Sequence, residues 1–202
     1  NDNTAETSPS QPCSKHAKQQ YIYSASELRA LGLEAGYIDS IAFDLQQMVG
    51  STTSVNFIDY YVSMGLTSDT IFANTSDWKS TEVVMHRSPL TIQSSDCGQW
   101  KPLRFDRPFY WDGESSVVVQ LVHYIDPKVT TGVKSAYTVK NNTTLYKNGD
   151  NALSPTTMDF VGAGTKGNTR PNIRLYNSVY GCESEATPYE VQLVNIPAVD
   201  TT

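Results

Sequence analysis

The chain has 202 residues, of which 39% are apolar and only 18% charged, with a formal net charge of -6. That length supports one sizeable core without metals or disulfides. The acidic balance, with no stripe of Lys and Arg, argues against phosphate-backbone binding, so nucleic acid is not an expected partner. No apolar stretch reaches the roughly 20 residues of a membrane-spanning helix, and membrane insertion is not expected.

In chain order, "NDNTAETSPSQP" is polar, contains Pro and Ser and shows no periodicity. Residues 1–12 are expected to form a disordered lead-in or linker outside the fold. Cys13 comes next and, with Cys97 and Cys182, makes three cysteines, so any intrachain disulfide leaves one thiol over. A Cys13–Cys182 bridge, with Cys97 free, would clamp the two ends of the domain in an oxidising compartment; three unpaired thiols is the other reading. No C-x-x-C and no His at a metal-ligand offset accompanies them.

"YSASELRALGLEAG" predicts the one helix. Ser24 and Glu27 form a capping box, Leu28 and Leu31 give a short apolar face, and Gly32 suits a left-handed C-terminal position. Two turns is the most this pattern supports.

Beyond it the apolar period becomes two. In "DSIAFDLQQ" Ile41, Phe43 and Leu45 share a face, and in "VNFIDYYVSMG" Ile58, Tyr60, Val62 and Met64 do so. Val83 pairs with Met85, Leu103 with Phe105, and Ile173 with Leu175 in the same sense. "SVVVQLVHY" is apolar on both faces and is expected in the middle of a sheet. Asn148-Gly149 marks a tight hairpin turn. Closely spaced strands with one short helix predict an all-β fold, an antiparallel two-sheet β-sandwich of jelly-roll type over residues 13–180. Residues 181–202, with Pro188 and Pro197 around one apolar run, read more as a linker or the first strand of a following domain than as the last strand of this one.

The stretches "IYSASELRALGLEAGYIDSIAFDL", "VSMGLT" with "DW" downstream, "RFDRPFYWDGESSVVVQL" and "TRPNIRL" resemble, in order and spacing, a recurring β-sandwich module of large secreted and cell-surface proteins of Bacteroidetes. The resemblance spans most of residues 21–176. It implies a jelly roll similar to carbohydrate-binding domains, an extracellular location, and adjoining domains in the same polypeptide. The chain departs from the pattern at "DCGQW" and at "VHYIDPKVTTG".

Catalytic signatures are weak. His16, His86 and His123 are the histidines, and no G-x-S-x-G elbow occurs. The expected function is therefore non-catalytic binding of a glycan or a surface protein, with a structural spacer or assembly domain as the alternative. Sugar sites use aromatic rings as flat platforms beside polar side chains. Trp100 and Trp111 are assigned to packing, while Trp78, in the polar "NTSDWKS", is expected to be exposed. The candidate ligand-binding residues are Trp78, His123, Tyr124 and Asp126, the last three where the long strand leaves the core. No cofactor is expected. A structural calcium is conceivable because Asp39, Asp44, Asp112, Asp126 and Asp159 sit in or beside loops, although no contiguous D-x-D-x-D loop exists. The sequons at Asn74, Asn141 and Asn142 read as chance matches in Thr-rich loops.

Overall fold

A computed structural model of the chain describes residues 16–125, 132–149, 162–178 and 190–192. The predicted lead-in, the proposed Cys13 and Cys182 pair, and Asp126 and Asp159 lie outside the described residues.

The elements are β1 (His16–Tyr23), α1 (Ala25–Ala30), β2 (Gly36–Val49), β3 (Ser54–Phe57), β4 (Asp59–Thr67), β5 (Glu82–Arg87) and β6 (Leu90–Gln93). After a 3-10 turn at Ser94–Asp96 come β7 (Gln99–Trp111), β8 (Ser116–Tyr124), β9 (Gly132–Ser135), β10 (Tyr137–Gly149), β11 (Thr165–Pro171), β12 (Ile173–Ser178) and β13 (Glu190–Gln192). The fold is all-β with antiparallel sheets, as the period-two patterning predicts. One sheet runs β11-β10-β1-β8-β4-β5, and the second runs β13-β12-β2-β7 with β9 also paired to β2. β3 and β6 form a separate two-stranded pair. The sheets share a core in which Tyr21, Val119 and Leu121 of the first meet Ile41, Phe43 and Leu175 of the second.

Local chemistry explains α1. The Ser24 backbone N–H donates to Glu27 Oε2 at 3.0 Å and the Ser24 hydroxyl to the same oxygen at 2.6 Å. Gly32 takes φ +87° after the last turn, where a side chain would be strained. Glu27 also reaches across the fold, because its Oε1 lies 2.6 Å from Arg170 Nη2 and 2.6 Å from Lys140 Nζ. Burial alone would raise the Glu27 carboxyl pKa; hydrogen bonds from Arg170, Lys140 and Ser24 outweigh that and hold it at about 2. Arg170, only 4% exposed, donates as well to the Ile22 carbonyl and lies over the Tyr23 ring at 4.5 Å.

β8 is central and buried on both faces. Val117 and Val119 join the inter-sheet core, whereas Val118 faces outward and packs with Ile22, Phe72 and Leu145 in a second small cluster. The connection between β4 and β5, residues 68–81, supplies the cover. Its Phe72 N–H donates to Asn142 O at 2.8 Å, and Lys79 exchanges two 2.8 Å bonds with the Gln20 side chain. Gln20 Nε2 also donates to Gln120 Oε1 at 2.8 Å, so both polar side chains under this strap are satisfied. Gly65 permits the approach: a Cβ there would stand 2.2 Å from the Ser80 carbonyl oxygen.

Three sequence expectations change. Ile58 is exposed between β3 and β4, so "VNFIDYYVSMG" is two strands and not one. A bulge at Val62/Ser63 shifts the β4–β5 register, and Val84 with Met85, not Val83, is buried. Asn148 and Gly149 are the last two residues of β10, paired with Ala17 and His16 of β1, and not the centre of a tight turn. Glu190–Gln192 hydrogen-bonds to β12, which attaches this part of the 181–202 segment to the second sheet.

Candidate functional site

Of the predicted ligand residues, the three among the described residues, Trp78, His123 and Tyr124, do not converge. His123 and Tyr124 are consecutive on β8 and therefore face opposite sides of the first sheet. His123 points inward, with its ring centroid 5.0 Å from Phe57. Tyr124 points outward and stacks on His16, centroids 4.6 Å apart and planes 16° from parallel. Trp78 lies elsewhere on the outer face. It is half-buried against the Ile22, Phe72, Val118 and Leu145 cluster, its indole N–H donates to Gly162 O at 3.4 Å, and Lys18 Nζ sits 4.8 Å from its ring. The expectation of an exposed Trp78 is corrected: a strand apolar on both faces needs an apolar lid on its outer side, and Trp78 with Phe72 is that lid.

Trp111 is fully buried and donates to Ser115 O at 2.7 Å, in line with its assignment to packing. The adjacent Asp112-Gly113 is a self-contained turn, since Asp112 accepts from the Glu114 and Ser115 backbone N–H groups at 2.9 and 2.7 Å.

Aromatic surface collects instead on the outer face of the second sheet. Ala42, Pro102 and Arg174 are cross-strand partners on that face, as are Asp44 with Trp100 and Tyr37 with Tyr110. Cross-strand partners share a face, so these side chains form a strip in two parts, divided by the register break between Ile38 and Ser40. Tyr37 and Tyr110 are 44% and 53% exposed and meet edge to face at 5.2 Å. Further along, the Arg174 guanidinium lies 4.2 Å from the half-buried Trp100 ring. Asp44 beside it accepts from Gln46 Nε2 at 2.6 Å, and burial raises its carboxyl pKa. Trp100, assigned to packing from sequence, thus borders solvent with one ring face under Arg174. The signal for this strip lay in β7, where Trp100, Pro102 and Arg104 alternate with Leu103 and Phe105; which residues joined them from β2 and β12 required the register.

His86 Nε2 lies 2.8 Å from Asp59 Oδ1 and the imidazole stacks on Tyr61 at 4.1 Å, but no Ser, Thr or Cys hydrogen-bonds this pair among the described residues. Cys97 is a free thiol whose pKa is raised by burial and by Asp96, which leaves it a poor nucleophile. Among the described residues no cluster of three His, Cys, Asp or Glu has metal-holding geometry. Asp39, Asp44 and Asp112 are each engaged locally.

Comparison with known proteins returned no match to any family model, curated protein or solved structure.

Proposed function

We propose that the chain is a non-catalytic carbohydrate-binding or adhesion module, a jelly-roll domain of a secreted or cell-surface multidomain protein. The observation that carries this reading is the outer strip of the second sheet, where Tyr37 and Tyr110 present ring surface at one end and Trp100, beside Arg174 and Asp44, at the other. Rings give a sugar's apolar face a platform, and planar polar side chains take its hydroxyls. The jelly-roll assignment draws support from the chain's repeated switch between sheets, β1 to β2, β7 to β8 and β11 to β12.

The test is a glycan array with the purified domain, with and without calcium. Saturable binding lost in Trp100→Ala or Tyr110→Ala locates the site. A negative across plant, host and microbial glycans overturns the carbohydrate reading and favours the spacer or assembly alternative.

A further inference from the structure

The space between the two sheets is sealed at one end and open at the other. Along β8, Val117 and Val119 are fully buried while Leu121 keeps 8% of its surface accessible; along β2, Ile41 is fully buried while Phe43 keeps 6%. Between Leu121 and Phe43 lies a cavity, which the β3–β6 pair borders with Phe57 and Ile92, β7 with Leu103 and β9 with Val133. Each of these four residues also keeps 5–8% of its surface accessible. Interiors are ordinarily close-packed, and apolar walls that face a gap lose the contacts a filled interior would give them. An apolar guest restores those contacts.

The polar groups on the walls limit what else the guest can carry. The Tyr21 hydroxyl donates to Gln19 Oε1 at 2.5 Å, and Lys101 Nζ lies 2.8 Å from Asp96 Oδ1, so the cation is already neutralised. Tyr60 differs from both. It lines the same space from β4, part of its surface is accessible, and its hydroxyl has no hydrogen bond among the described residues. Burial raises its pKa, so the proton stays on the oxygen through the neutral range and is available to an acceptor. The ring is held by Phe57, edge to face at 5.1 Å, and by His123, parallel within 6°, which fixes where the hydroxyl stands. A neutral oxygen can accept from it without bringing a charge into apolar surroundings, whereas a carboxylate would be desolvated with no cation of its own.

We propose that the open end of the inter-sheet space binds an uncharged apolar molecule bearing a carbonyl, with its hydrocarbon part against Phe43, Leu103 and Leu121 and its oxygen accepting from the Tyr60 hydroxyl. The site is independent of the carbohydrate reading, which concerns the outer face of the second sheet.

The experiment titrates 2-butanone, 2-hexanone and 2-octanone into protein ¹³C-labelled at the Ile, Leu and Val methyl groups and at tyrosine Cζ, and follows it by NMR. The methyls of Ile92, Leu103, Leu121 and Val133 should shift saturably, while those of Ile22, Val118 and Leu145 under the strap stay in place. Affinity should rise about fourfold for each methylene that enters the space and level off at the length that fills it. The Tyr60 Cζ signal should move along the same saturation curve, a readout that needs no variant. Tyr60→Phe keeps the ring and removes only the oxygen; it should weaken every ketone about fivefold, the ratio one hydrogen bond supplies, whereas Trp100→Ala should leave binding unchanged. The proposal is overturned by the absence of saturable shifts, by shifts confined to other methyls, or by a series flat from 2-butanone to 2-octanone. An unmoved Tyr60 signal, or a Tyr60→Phe variant that binds as tightly as wild type, overturns it as well.

Discussion

His123 and Tyr124 are neighbours in the chain yet occupy different environments, one between the sheets against Phe57 and the other stacked on His16 outside. The alternation of a strand separates them by the thickness of the sheet. His123 therefore answers to the core and its substitution should be felt there first.

Its buried neutral ring makes stability depend on pH. Folding lowers the His123 pKa from 6.5 to about 4, so as pH falls below 6.5 the unfolded chain takes up a proton that the folded chain does not. The stabilisation is complete above pH 6.5 and is lost as pH falls towards 4, by about 2 kcal/mol at pH 5. Urea denaturation at pH 7, 6 and 5 should show this slope, and His123→Phe should remove its share.

The Glu27–Arg170 contact has the same sign in a lower window. Glu27 is held at about 2 against its usual 4.5, so its contribution is present above pH 4.5 and disappears as pH falls through 2. Glu27→Gln leaves the Arg170 guanidinium buried without its carboxylate and is expected to cost about 2–3 kcal/mol at pH 7, less than for a fully buried pair. Denaturation at pH 7 and pH 3 should show a smaller gap between wild type and variant at the lower pH.

The strap over β8 depends on Gly65 and Trp78. Gly65→Ala forces a Cβ to 2.2 Å from Ser80 O, a backbone atom, and should lift the connection off the sheet. A loss of about 2–4 kcal/mol is expected, with a comparable loss for Trp78→Ala from the uncovered cluster. Thermal melts measure both. A Trp78→Ala variant that keeps full stability would contradict the packing role assigned to that ring.

On the outer strip the expectation reverses. Tyr110→Ala, at a ring 53% exposed, should change stability by no more than about 1 kcal/mol while lowering glycan affinity about tenfold. Paired melting and binding measurements on one preparation separate these effects.

Features carried by local chemistry could be read from the sequence. The capping box at Ser24 and Glu27, the one-sided strands around Ile41 and Leu103, and the two-faced "SVVVQLVHY" all follow from spacing within a single segment. The strap could not be read the same way, because "NTSDWKS" is polar by composition and only the outward Val118 reveals what Trp78 must cover. Equally, the neighbourhoods of Trp100 and Tyr110 come from pairings with residues far away in sequence. A strand's own residues say which face they share but not who stands across from them. Asn148-Gly149 shows the converse, a turn-forming pair that closes a paired strand instead.

β1 is bonded along most of its length to β10 on one side and β8 on the other. Such bonds lie across the strand axis, so tension applied to the chain ahead of His16 would load both ladders in shear, many bonds at once. Peeling them singly would need a pull from the side. In a protein stretched between two anchorage points, this first strand would act as a mechanical clamp, resisting extension for reasons unrelated to any ligand.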